Sequence, residues 1–240
     1  MVEAPAAQPL LDPTPAADAV ARARTRSTTV AASPSGQLPT YWLVLQQLSA
    51  FPSNVTWGLA TSILLPVSVS TIVCSQESCS APETAKKSSM LASAAFCGAV
   101  AQLSQPFWGT LSDRLRPSNP YWGRRRVTVA AAQICTVASL IGMAIATNQT
   151  EMSVSLRFWL LTAAYTSFQV ANSMFSAPYY SIIPELVPLH QRGSAGAWVA
   201  FLQASAGLAS GGLATLQGNG VISSSQVYWL LVALNVLGNR

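Results

Sequence analysis

Past residue 42 the chain alternates long apolar runs with short polar joins. Six runs stand out, at 52–73, 88–111, 127–147, 158–183, 193–213 and 226–237. The first five approach the length of about 20 residues with which an α-helix crosses the hydrocarbon core of a bilayer. None keeps the polar face that a surface helix of a soluble protein shows. The pattern predicts an all-α, polytopic membrane protein in which 43–240 form a six-helix half-bundle. The sixth run has only about a dozen apolar residues, too few to cross alone, so the chain is expected to stop partway through its sixth helix. Pro66 lies inside the first run and predicts a kink there. Residues 1–42 read differently. Pro5, Pro9, Pro13, Pro15 and Pro34 interrupt a stretch rich in Ala, Ser and Thr, which predicts a disordered tail. Arg22, Arg24 and Arg26 give that tail some likeness to a transit peptide, against which Glu3, Asp12 and Asp18 weigh.

Composition agrees with the pattern. Half of the 240 residues are hydrophobic and 9% are charged, where soluble domains carry about 25%. The net charge of +5 does not point to nucleic acid, because the arginines cluster at the ends of apolar runs. Their distribution sets an orientation. With the N-terminus cytoplasmic, that side holds Arg22, Arg24, Arg26, Arg114, Arg116, Arg124, Arg125, Arg126 and Arg192, and the other side holds Lys86, Lys87 and Arg157. This is the asymmetry of the positive-inside rule. The far side then carries Asn148-Gln149-Thr150, a glycosylation sequon, whereas the sequon at Asn54 falls on the cytoplasmic end of the first run. Cys74 and Cys79 also fall on the far side, where they pair as a disulfide in an oxidising compartment or remain two free thiols. Cys97 and Cys135 lie within apolar runs as small hydrophobes.

Candidate chemistry is sparse. There is one histidine, His190, no Cys/His cluster and no glycine-rich phosphate loop, so metal, cofactor and enzymatic functions find no support. No Asp, Glu, Lys, Arg or His lies within the apolar core of any run. Ionisable groups inside membranes are costly and usually functional, so this chain is expected to supply no titrating carboxylate to transport. The polar residues left in the runs include Gln102, Gln105, Gln133, Gln169, Asn172 and Gln203. Gln102 and Gln105 are three apart, as are Gln169 and Asn172, so each pair is expected to share a helix face. Each such residue serves as a solute contact or as an interhelical hydrogen bond worth about 1 kcal/mol.

The densest polar stretch joins the second and third runs: Gly109-Thr-Leu-Ser-Asp113-Arg114, then eight residues, then Gly123-Arg124-Arg125-Arg126. It holds five of the thirteen Lys and Arg residues. Asp113 pairs with a neighbouring arginine or caps a helix N-terminus. A second stretch ends the fourth run, Ala177-Pro178-Tyr179-Tyr180-Ser-Ile-Ile-Pro184-Glu185-Leu-Val-Pro188, followed by Arg192. The first stretch resembles the signature between helices two and three of the major facilitator superfamily. Its long spacing, and the second stretch, are similar to the glycoside–pentoside–hexuronide and sucrose-transporter branch, whose members often carry Pro where Val127 stands here.

The resemblance implies how the parts work. Six helices form one bundle, and solute binds at the bilayer midplane between it and a second six-helix bundle, with access alternating by rocking. Here the partner bundle is a C-terminal half or a second copy. Gly109, Asp113, Arg114, Gly123, Arg124 and Arg125, joined by Glu185 and Arg192, are the expected cytoplasmic latch. Helices one and four line the cavity with two and five beside them, which makes Trp57, Thr61, Gln102, Gln105, Tyr165, Gln169 and Asn172 the candidate contacts. Neutral amides and aromatics suit a small polar, sugar-like solute. The other reading is a non-transporting membrane scaffold or half-size subunit, or an inactive fragment.

Overall fold

The computed structural model describes Tyr41, Leu48 and residues 50–74, 80–115 and 124–238. In chain order the helices are α1 (Phe51–Leu59), a π-helical turn (Ala60–Leu64), α2 (Leu65–Val73), α3 (Ala81–Gln102), α4 (Gln105–Arg114), α5 (Arg124–Asn148), α6 (Val154–Leu186), a 3-10 turn (Leu189–Gln191), α7 (Arg192–Gly218) and α8 (Ser224–Gly238). They form six rods, because α1 and α2 run on through the π turn and α3 and α4 meet at a two-residue break. No strand occurs among the described residues, so the fold is all-α. Thr40–Arg240 form one unit.

Two prolines shape the first two rods. Pro66 has no N–H, so the carbonyl of Ser62 four residues earlier has no helical partner from it. The chain answers with the π turn, in which Leu65 N–H bonds the carbonyl of Ala60. A π turn takes up one extra residue and rotates the following segment by about 100° relative to a continuous α-helix. Leu64, Leu65, Ser68, Val69 and Ile72 thereby stay on the same side as Val55, Thr56 and Leu59, and all are buried. In the second rod Pro106 would clash with the carbonyl of Gln102 in a continuous helix. Leu103 and Ser104 instead close i→i−3 bonds to Val100 and Ala101, both at 3.1 Å, and α4 starts afresh at Gln105. The apolar run 88–111 is thus two helices, and Gln102 and Gln105 flank the break instead of sharing one helix face. The rod also begins about two turns before the run does. Ser80 N–H donates to Glu83 Oε2 at 2.8 Å, the capping contact of a Ser-x-x-Glu start.

α6 is the hub, packing on α3, α4 and α5, while α1 packs on α7 and α8, and α8 also on α5. The main core gathers Val55, Leu59, Leu64, Leu140, Met143, Leu161, Phe168, Tyr228 and Leu231. Buried hydrogen bonds cross it. Thr147 Oγ1 donates to Ser68 Oγ at 3.0 Å, Ser68 Oγ lies 2.8 Å from Tyr228 Oη, and Asn235 Nδ2 donates to Thr56 Oγ1 at 2.5 Å. They fix α8 against the first and third rods, which its apolar length alone does not explain. α6 begins at Val154, so Arg157 lies inside the helix and is 6% exposed. Its Nε and Nη2 donate to the carbonyls of Ala146 and Thr147 at 3.2 and 2.7 Å. The guanidinium thus closes the C-terminal end of α5, where unpaired carbonyls and the helix dipole favour a cation.

Three stretches are long and apolar enough to cross a membrane: Phe51–Val73, Val127–Asn148 and Leu189–Gly218; Ser224–Leu237 is a shorter apolar helix. The second and fourth rods fall outside that set: the 22 residues of α3 open with Glu83, Lys86 and Lys87, and Tyr165, Gln169, Asn172 and Ser176 dilute the fourth. On the fourth rod Tyr165 and Gln169 are buried and Asn172 and Ser176 line a pocket between helices, so the bilayer does not exact their removal.

Candidate functional site

The fourth rod organises the site. Gln169 is 2% exposed and uses both ends of its amide. Its Oε1 accepts from Trp57 Nε1 at 3.2 Å and from Gln102 Nε2 at 2.9 Å. Its Nε2 donates to Tyr165 Oη at 2.7 Å. One side chain thereby joins the first, second and fourth rods. Gly98 makes room for it. A Cβ at that position would stand 2.5 Å from Tyr165 Cε1 and 3.2 Å from Gln169 Cγ, so only glycine lets α3 approach this closely.

In front of the network lies a pocket of about 360 Å³. Its walls are Asn54, Trp57 and Gly58 of α1, Asn172, Ser176 and Tyr180 of α6, and Gln203 and Gly207 of α7. Trp57 is 39% exposed and separates the pocket from buried Gln169. Gln203 Nε2 donates to Tyr180 Oη at 2.7 Å across the opposite wall. Among the described residues no carboxylate or cation lines the pocket. The chemistry on offer is amide and hydroxyl hydrogen bonding beside aromatic faces.

Of the seven cavity candidates, Trp57, Gln102, Tyr165 and Gln169 meet in one network, and Trp57 and Asn172 line the pocket. Thr61 turns its hydroxyl back to the Trp57 carbonyl at 2.8 Å. Gln105 is exposed at the start of α4. The pocket also recruits Asn54, Ser176, Tyr180, Gln203 and Gly207. Gln203 is legible as a polar residue in an apolar run, and Tyr180 belongs to the Pro-Tyr-Tyr stretch. Nothing in the spacing brings either to Asn54.

At the other polar stretch, Arg125 Nη2 pairs with Asp113 Oδ1 at 3.1 Å, and Nη1 reaches the Pro178 carbonyl at 3.5 Å. Arg125 is therefore the partner of Asp113, which sits in the last turn of α4 and caps no helix start. Arg114 is exposed. Arg192 Nε donates to the Val187 carbonyl at 3.3 Å. A Cβ on Gly109 would meet Ala177 Cβ at 3.8 Å, an ordinary contact. Gly123 lies outside the described residues, as do the side chains of Arg124 and Glu185.

Asn148 is exposed at the end of α5, its Nδ2 3.5 Å from Ser225 Oγ. Cys74 is disulfide-bonded, and Cys79 lies outside the described residues. Cys97 and Cys135 are free. Among the described residues no group of three or more His, Cys, Asp or Glu converges to hold a metal ion.

No curated protein matches the chain. Residues 10–211, well over half of the sequence, match the family model described as the Major Facilitator Superfamily. With apolar rods, an all-α bundle and a pocket between them, the chain belongs to the major facilitator superfamily, an integral membrane family of transporters rather than enzymes.

Proposed function

We propose that this bundle is the N-terminal half of an alternating-access transporter for a small, uncharged, polar solute such as a sugar. The observation that carries the reading is the pocket between α1, α6 and α7, walled by amides, hydroxyls and aromatic rings with no charged side chain among the described residues. A charged solute placed there would lose its hydration without gaining a counter-charge. A polyol exchanges water hydrogen bonds for those of Asn54, Asn172, Ser176 and Gln203, and lays its C–H face on Trp57 or Tyr180. The second wall comes from another six-helix bundle, a C-terminal half or a second copy, and rocking between the two alternates access.

The Asp113–Arg125 pair, on the cytoplasmic side in this reading together with the N-terminus, ties the second rod to the third and, through the Pro178 carbonyl, to the fourth. It is suited to hold one of the two states. A coupling acid, where there is one, belongs to the partner bundle; otherwise flux is facilitated diffusion. Within the superfamily, the reading places the chain with the glycoside–pentoside–hexuronide and sucrose-transporter branch.

The test is a titration of the purified chain in lipid nanodiscs with neutral mono- and disaccharides, amino acids and organic anions. It is followed by the difference in tryptophan fluorescence between the native chain and Trp57→Phe. A saturable signal from neutral polyols alone is expected. A signal from charged solutes and none from polyols refutes the assignment.

A further inference from the structure

Behind the solute pocket, between α1, α5 and α6, is a second, much smaller chamber of about 10 Å³, about the space one water-sized sphere occupies. Ser53, Gln133, Thr136 and Asn172 give it polar walls, and Phe168 and Phe175 give it apolar ones. Gln133 Nε2 donates to Ser53 Oγ at 3.0 Å. Gln133 Oε1 is fully buried and has no hydrogen-bond partner among the described residues. A buried carbonyl oxygen is rarely left so, because the loss of hydration is not returned. Asn172 lines this chamber and the solute pocket alike.

We propose that the chamber is a binding site for one water molecule, which donates to Gln133 Oε1 and links it to Asn172. Volume and chemistry select water over a monovalent cation. A water needs two to four polar partners of mixed donor and acceptor character, and an amide oxygen, a second amide and two hydroxyls supply that mixture. A cation would need oxygens all round it, and its charge would stand buried with no carboxylate beside it. The consequence reaches the solute pocket. Gln133 lies on the third rod, which contributes no wall to that pocket, yet through the water it orients the amide of Asn172, which does. Gln133 is thus a positioning residue. The water site itself rests on the chamber alone; its effect on solute recognition also rests on the function proposed above.

X-ray radiolytic footprinting in lipid nanodiscs, with a mixing step into ¹⁸O-labelled water, tests this. Radicals formed at a bound water mark the aromatic rings beside it. Phe168 and Phe175 line the chamber, whereas Phe158 is as buried as Phe175 and lies outside it. The expected result is modification of Phe168 or Phe175 above that of Phe158, with slow ¹⁸O uptake. Gln133→Met and the nearly isosteric Thr136→Val are both expected to lose that modification while the cross-core network keeps each folded. Labelling of the chamber phenylalanines no greater than that of Phe158 in the native chain overturns the site. So does a melting temperature that rises saturably with Na⁺ or K⁺, against choline, in the native chain but not in Thr136→Val, since the ligand is then a cation. Retained footprinting alongside failed polyol binding would refute the solute reading and leave the water site standing.

Discussion

Asp113 and Arg125 meet at 3.1 Å with unequal exposure: the carboxylate side chain is 59% accessible and the guanidinium side chain 12%. The pair is therefore one anion at the surface held by a cation rooted in the bundle. The same arginine reaches Pro178 in α6, so the two partners are not equivalent. Asp113→Asn is expected to cost no more than about 1 kcal/mol, and less in high salt. Arg125→Ala also loses the carbonyl contact and buried methylenes, and is expected to cost about 2 kcal/mol. Melting of the detergent-solubilised chain at low and high salt compares the two. Equal losses that vanish together in salt would mean the pair acts through charge alone.

Gln169 is the residue whose loss spreads furthest among the polar positions of the core. Gln169→Leu strands the donors of Trp57 and Gln102 and the hydroxyl of Tyr165. Bonds between membrane helices average about 0.6 kcal/mol each, so the two to Trp57 and Gln102, with the bond to Tyr165 within α6 counted alike, predict a loss of about 2 kcal/mol. Gln102→Leu removes one of the three and is expected to cost about a third as much. Thermal or denaturant unfolding of both variants tests the ranking, and a Gln102 variant as weak as the Gln169 variant would show that Gln169 is not the hub.

Two kinds of glycine should respond in opposite ways. Gly98→Ala drives a methyl to within 2.5 Å of the Tyr165 ring. Overpacking of this kind costs about 1–3 kcal/mol, more than the gain of about 1 kcal/mol in helix propensity. Gly196 has nothing within 4 Å of an added Cβ, so Gly196→Ala should be neutral or up to about 1 kcal/mol stabilising in the isolated chain. Unfolding curves of the two variants, measured side by side, decide.

Arg157 should resist conservative replacement. Its planar fork reaches two carbonyls of the last turn of α5 through separate nitrogens. Lysine offers a single compact ammonium, so Arg157→Lys is expected to keep at most one of the two bonds. It should lower stability by about 2 kcal/mol, with Arg157→Gln at about 3 kcal/mol. A lysine variant as stable as the native chain would show that charge at the helix end suffices without the fork.

The family and the class of fold were legible in the sequence because each follows from local composition. Runs of about 20 apolar residues have one stable fate in a bilayer, since every backbone N–H and C=O must then be satisfied within the segment. Asp113 with its arginines, and the Pro-Tyr-Tyr stretch, are contiguous and need no folding to be seen. Local signals also existed for features that the apolar runs missed. Ser80-x-x-Glu83 marks the true start of α3, and Pro106 marks the break that separates Gln102 from Gln105.

The sequence by itself determined that the fold is helical, that the protein belongs in a membrane, and that neutral polar residues are embedded in the apolar runs. Tertiary structure decided which of those residues meet. Trp57, Gln102 and Gln169 are separated by up to 112 positions, and Asn54, Tyr180 and Gln203 come from three different helices. Their convergence depends on how each rod is rotated about its axis. That rotation is set by features no periodicity reveals: the residue taken up by the π turn before Pro66, the restart at Gln105, and the close approach that Gly98 permits. A helix carries its own hydrogen bonds wherever it lies, so its formation is local. The face it turns to its neighbours is chosen by the packing of all six rods together.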